Sequence, residues 1–395
     1  MVLTLPGPIF GQDAPGGRQI TFGIDSRLIA QQNANLAPGG KVRTAESNTR
    51  LSLGLRSETP ASFVALDASG RLRFVGRVGS GATGQRNALT DPSITLSFGS
   101  EAAASSIAGS AFLRETDLSQ DATIDPFLPP VGTQRRVGGN LSYRWGEDRR
   151  VSFGLSAGFA DTTYRDAPGQ TDNRRLDLGG DVRIDLTEVA QLTFGVSRSR
   201  FAPAGAAARE TAAFTTDLVI DRPRGPVTIS AAVTDTPDGT RTALSVGRRL
   251  ELPDGIIAAK VGVTRGVTGK FGVTGELGYS RDLPDGRISL ALSRSVLANE
   301  DDAEVTQTRA SLGFGRELTD RTRLLVELGL GESRASGTGT DIRSGTFAVI
   351  LSQDLDTNWA LDAGYQLRAR RVTGQASATN GAIFIGLRRQ FVATY

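Results

Sequence analysis

Chemistry in this chain rests on few side-chain types. Of 395 residues, 45 are Lys or Arg and 42 are Asp or Glu, while His and Cys are absent. Without His the usual general base and the commonest metal ligand are missing. Without Cys there is no thiol nucleophile and no disulfide framework. What remains is the chemistry of guanidinium and carboxylate: ion pairing, attraction of counter-ions and exclusion of like charge. Fifteen charges stand at regular positions within alternating runs: Asp25, Arg27, Arg56, Arg71, Arg73, Arg144, Asp177, Asp181, Arg183, Lys260, Glu276, Glu327, Asp362, Arg368 and Arg388. A net charge of +3 is too near balance to imply a nucleic-acid partner. No catalytic residue, metal site or cofactor is expected, and the chain does not read as an enzyme.

The elements that carry these charges have a period of two. Val64, Leu66, Ala68, Gly70, Leu72 and Phe74 form one track, and Ala65, Asp67, Ser69, Arg71 and Arg73 form the other. Leu176 to Leu186 alternate in the same way with Asp177, Gly179, Asp181, Arg183 and Asp185. Trp359, Leu361, Ala363, Tyr365 and Leu367 alternate with Ala360, Asp362, Gly364, Gln366 and Arg368. Such spacing predicts strands with one apolar and one polar face. About twenty are expected (18–22), from 18–31 at the start to 378–393 at the end, with 48–57 and 91–99 among them. The mean hydropathy of −0.17 averages the two faces. No apolar run is long enough for a membrane-spanning helix.

The connections alternate in kind. Tight ones include Glu58-Thr59-Pro60, Glu147-Asp148-Arg149, Pro253-Asp254-Gly255 and Pro284-Asp285-Gly286. Pro presets φ and Gly accepts an unusual backbone, so Pro-Asp-Gly between alternating runs is a turn signal. Longer polar connections are expected over 32–47, 77–90, 116–134, 163–171, 203–209, 299–303, 334–340 and 372–377. Around the tight turns a motif recurs: Glu251-Leu252-Pro253-Asp254, Arg281-Asp282-Leu283-Pro284-Asp285, Arg316-Glu317-Leu318-Thr319-Asp320 and Asp354-Leu355-Asp356-Thr357. One hairpin per repeat favours an up-and-down barrel over a propeller, whose blades hold four shorter strands. Short turns on one rim and longer loops on the other mark a transmembrane barrel. An even strand number puts both ends on the short-turn side.

Four arginines interrupt the apolar tracks near that rim: Arg248, Arg281, Arg316 and Arg389. An Arg is costly at mid-bilayer and cheap at the interface, where its stem covers hydrocarbon and its head reaches phosphates. These four are therefore expected to form a lipid-interface ring, with solvated strand ends as the alternative.

The last residues read Ile383-Phe384-Ile385-Gly386-Leu387-Arg388-Arg389-Gln390-Phe391-Val392-Ala393-Thr394-Tyr395. Ile383, Ile385, Leu387, Phe391 and Ala393 share a face with the terminal Tyr395. This strand resembles the terminal signal of bacterial outer-membrane β-barrel proteins, with Phe391 and Tyr395 as the aromatic assembly positions. The resemblance covers a barrel pattern over about 18–395 and is porin-like. It implies a Gram-negative outer membrane, lipid and lipopolysaccharide around the wall, and partnership with the barrel-assembly machinery. Aromatics make up 6% of the chain. Trp145, Tyr143, Tyr279, Tyr365 and Trp359 are the expected contributors to a sparse girdle.

Residues 1–17 are expected to be a signal remnant or a disordered tail, with Gly11 as an acceptable small residue at a cleavage point. Residues 18–395 are expected to form one barrel domain without a plug. If the apolar track faces lipid, the fifteen charges line a lumen that twenty strands leave too wide for side chains to fill. The expected function is a passive aqueous pore for small hydrophilic solutes. The alternative is a structural, adhesion or export-associated barrel. Loop 116–134, with Asp117, Asp121 and Asp125, is the expected constriction loop, or else an exposed surface loop. The run Glu300-Asp301-Asp302-Ala303-Glu304 reads as a solvated loop or a divalent-cation site.

Overall fold

The computed structural model describes residues 17–34, 36, 39–40, 42–77, 86–118, 132–298, 304–335 and 341–395. Their elements are twenty β-strands: β1 (Gly17–Gln32), β2 (Arg43–Thr59), β3 (Ser62–Arg77), β4 (Arg86–Ala102), β5 (Ser105–Asp117), β6 (Thr133–Trp145), β7 (Val151–Arg165), β8 (Asn173–Thr187), β9 (Ala190–Pro203), β10 (Arg209–Ile220), β11 (Val227–Thr236), β12 (Gly239–Leu252), β13 (Gly255–Arg265), β14 (Phe271–Leu283), β15 (Gly286–Ala298), β16 (Glu304–Thr319), β17 (Thr322–Ala335), β18 (Asp341–Asp354), β19 (Trp359–Val372) and β20 (Ala378–Thr394). Each pairs antiparallel with its neighbours in sequence, and β1 pairs antiparallel with β20, so the sheet closes on itself. Closure satisfies the backbone of both outermost strands, which a span through hydrocarbon requires.

The two tracks separate by face. Ile20, Phe22 and Leu28 on β1, Leu51, Leu53 and Leu55 on β2, and Val261 and Val263 on β13 all stay exposed. Phe22 stands opposite Leu53 and Phe391, and Val263 opposite Leu244 and Val273, so the apolar track is continuous across neighbouring strands. Large apolar side chains left uncovered around a closed wall form a lipid-facing belt. The core is therefore not a central apolar mass. Among the described residues wholly buried side chains are few, and Leu118, Val305 and Asn380 are among them.

Glycines make room where strands crowd. A Cβ on Gly255 would lie 2.1 Å from the Ser280 carbonyl oxygen, and one on Gly286 would lie 2.1 Å from that of Gly315. Both follow Pro-Asp and open the second strand of a hairpin. A third Pro-Asp-Gly, Pro237-Asp238-Gly239, closes β11 onto β12 on the other rim, with Gly239 at φ 130°. The rim expected to carry longer loops therefore holds one tight turn as well.

Several strands run further than the periodicity suggests. β2 begins at Arg43 rather than near 48, and β4 runs over Arg86–Ala102 rather than 91–99. In β4 the register shifts opposite Ser69 and Arg71, and Asp91 takes φ 51°. A bulge absorbs one residue there and hides the alternation. Of residues 1–17, expected as a signal remnant or a disordered tail, 1–16 lie outside the described residues and Gly17 opens β1.

Candidate lumen site and membrane belt

The register puts all fifteen charges on the track opposite the lipid-facing one, and most of them meet an opposite charge. Arg27 meets Asp25 at 3.1 Å and Asp362 at 3.9 Å. Arg56 meets Glu58 at 2.8 Å, and Arg71 meets Asp91 at 2.9 Å. Arg144 lies 3.7 Å from Asp181, and Arg183 lies 3.6 Å from Asp185. Asp177 accepts from Arg175 at 2.9 Å. Lys260 stands directly opposite Glu276, and Arg388 directly opposite Asp25. Glu327 is half-buried opposite Gly313 and Ala348. Arg368 is buried at the level of Asn380.

The densest cluster joins six strands near the longer loops. Glu46, whose side chain is 1% exposed, accepts from Arg73 Nη2 at 2.9 Å and from Gln31 Nε2 at 3.2 Å, and also from the Asn48 amide. Gln31 Oε1 in turn accepts from Asn380 Nδ2 at 3.1 Å. Arg73 also pairs with Asp117, whose backbone N–H donates to Asp91 at 2.8 Å. Buried carboxylates persist only when paired and hydrogen-bonded in this way. The network runs from β20 through β1, β2, β3 and β4 to β5, across the seam where the barrel closes.

Asp117, the first of the expected loop acids, thus ends β5 against Arg73 in the wall. Asp121 and Asp125 lie outside the described residues, as do residues 299–303 of the acidic run. Glu304 of that run accepts from the Val267 N–H at 3.2 Å. Among the described residues no group of His, Cys, Asp and Glu could hold a metal ion.

The lumen-side arginines that escaped the sequence reading include Arg50, Arg114 and Arg136. Arg50 could have been found from its alternation with Leu51, Leu53 and Leu55. Arg114 and Arg136 stand opposite one another on β5 and β6, a relation that only register reveals.

On the outer face, Arg248 stands opposite Val227 and Ala259, Arg281 opposite Gly255, Arg316 opposite Gly286, and Arg389 opposite Trp359 and Ile24. All four lie toward the short-turn rim. Arg281 and Arg316 approach the acids of the preceding Pro-Asp-Gly turns, Asp254 at 3.9 Å and Asp285 at 4.0 Å. The Arg389 guanidinium lies 4.8 Å from the Trp359 ring centroid and 4.2 Å from that of Phe391. Elsewhere on this rim Trp145 stacks on Phe153 at 5.8 Å, with Arg149 over Trp145 at 5.4 Å. Phe391 and Phe22 approach to 6.1 Å across the seam, and Tyr395 exchanges backbone hydrogen bonds with Arg18.

A closed antiparallel wall of twenty strands, apolar outside and charged inside, is an outer-membrane β-barrel. Solved structures agree at the level of fold. The siderophore receptor PirA from Pseudomonas aeruginosa aligns over 96% of this chain and 81% of its own, at 11% identity and a TM-score of 0.53. A mutant of the ferric enterobactin receptor PfeA from Pseudomonas aeruginosa gives the same coverages at 10% identity and a TM-score of 0.55. The copper transporter OprC gives them at 12% identity and 0.51. No family model and no curated protein matches the chain.

Proposed function

We propose that this barrel is a passive aqueous pore for small hydrophilic solutes in the outer membrane of a Gram-negative envelope. The observation that carries the reading is the state of the lumen-side charges. Arg50, Arg114 and Arg136 are solvent-exposed although they point away from the lipid belt. Charges held in this way need water inside the wall. Barrels of 16–18 strands already enclose an aqueous channel, and this one has twenty. Ion pairs along the wall, such as Arg144–Asp181 and Lys260 opposite Glu276, leave both signs facing the conduit. No catalytic role is proposed, since the likeness to known structures is to receptors and a transporter.

Planar bilayer recording of the refolded chain tests this reading. Stable ohmic steps are expected. A correctly folded barrel that stays electrically silent would replace it with a structural, adhesion or export-associated role.

A further inference from the structure

We infer that one sector of the lumen wall, over β2 to β6, is a binding track for small oxyanions such as phosphate or carboxylate. The inference goes beyond the pore reading, because it assigns that conduit a preferred solute charge and a place where the solute pauses.

The track crosses five strands, with Ser69, Ser93, Arg114 and Arg136 in one row and Arg50 reaching it from the position opposite Arg71. Arg50 Nη2 donates to Ser69 Oγ at 3.1 Å, and Ser69 Oγ lies 3.0 Å from Ser93 Oγ. Ser93 stands directly opposite Arg114, and Arg114 directly opposite Arg136. With strands ~4.8 Å apart, the track spans about 19 Å. Arg50, Ser69, Ser93 and Arg114 share a concavity of about 440 Å³ in the wall.

Three observations point to an anion. First, none of Arg50, Arg114 and Arg136 has a carboxylate partner among the described residues, whereas their neighbours Arg71 and Arg73 are each neutralised by acids. Second, Arg114 and Arg136 are like charges in directly opposed positions, an arrangement that destabilises a sheet on its own. An oxyanion between them turns that repulsion into two charge-assisted, fork-shaped contacts. Third, the row is prearranged. The Arg136 guanidinium lies 5.7 Å from the centroid of the inward Phe112 ring. Gly138 clears the space for that ring, since a Cβ there would lie 2.9 Å from it. The serine hydroxyls supply further donors between the guanidinium heads. Asp67 lines the same concavity, along with Arg50, Arg56 and Arg114.

The test uses the full chain in planar bilayers, with a KCl gradient and with phosphate and succinate titrated separately against the chloride current. Anion-selective reversal and saturable block by at least one oxyanion are expected, and the two titrations separate phosphate from carboxylate recognition. Replacing the pair, Arg114→Gln with Arg136→Gln, is expected to raise the half-blocking concentration roughly tenfold and to move the reversal potential toward potassium. Arg114→Lys with Arg136→Lys keeps the charge and is expected to retain the selectivity while weakening the block. Heat-modifiable electrophoretic mobility confirms that each variant is folded. Conducting steps with no block, or with block unchanged in the Gln variant, would overturn the track and leave the pore standing. If the folded barrel is silent, phosphorus NMR line broadening in detergent decides the matter. Broadening lost in the Gln variant keeps the track and removes the pore, and no broadening removes both.

Discussion

Arg73 on β3 places Nη2 2.9 Å from the Glu46 carboxylate on β2, and Glu46 is the more deeply buried of the two. Their losses are therefore unequal. Arg73→Ala leaves Glu46 with only the Gln31 and Asn48 amides. Glu46→Ala leaves Arg73 its contact with Asp117. Breaking a buried pair from one side costs about 3–5 kcal/mol. Urea unfolding in detergent is expected to put Arg73→Ala near that range and Glu46→Ala below it. The double variant is expected to fall short of the sum. Equal midpoints for the two single variants would refute the asymmetry.

Gly255 and Gly286 are expected to tolerate no side chain, because the neighbouring hairpin's carbonyl occupies the space. Overpacking of this kind costs about 1–3 kcal/mol. Gly286→Ala should lower the thermal midpoint, whereas Gly374→Ala meets no atom within 4 Å and strains only its own backbone at φ 81°. Its smaller effect separates crowding from conformational preference.

The outer arginines should mark a depth. A spin label in place of Arg316 is expected to report headgroup, with labels in place of Arg248 and Arg281 at the same level; a bulk-water signal would remove the ring. Arg389 is also held between two rings, and such contacts are worth about 0.5–2 kcal/mol. Arg389→Ala should change the emission of Trp359 and leave that of Trp145 unaltered. A double set with Trp145→Phe isolates the signal.

Asp356, in the turn between β18 and β19, accepts backbone hydrogen bonds from Asn358 at 2.7 Å and Trp359 at 2.8 Å. Those bonds, with help from the nearby Arg389 charge, hold its carboxyl below the ordinary value of 3.8. A depressed native value means the turn's added stability is fully present above the unfolded value and is lost as pH falls through the native one. The Asn358 and Trp359 amide resonances are expected to titrate below pH 3.8. Asp356→Asn should abolish that titration, and Arg389→Gln should move it upward.

The faces of the strands were legible because alternation is local. Val64 to Phe74 and Trp359 to Leu367 each declare their lipid side within a few residues. The buried network was not. Glu46 and its partner Gln31 are fifteen residues apart, and Asn380 lies 349 residues from Gln31. Residues 32–47 also read as a loop, since Thr49 and Ser47 stand where the apolar track of Leu55, Leu53 and Leu51 would continue. Glu46 and Asn48 lie on the other track and are polar because they face the wall's interior, where a carboxylate can be matched. The track from Arg50 to Arg136 was hidden for another reason. Register between strands depends on the bulge at Asp91, and a slip of one residue would send each of those side chains to the opposite face.

The hydrogen bonds between Arg18 and Tyr395 have a consequence for the time before the barrel exists. Of the twenty strands, the one that completes the sheet is last in chain order, and its partner is first. Without the β20 pairing the sheet has two edges, one of them β1 with its donors and acceptors exposed from Gln19 to Gln31. Open edges of that length recruit other chains. Pairing of β20 with β1 is therefore the single step that removes both edges.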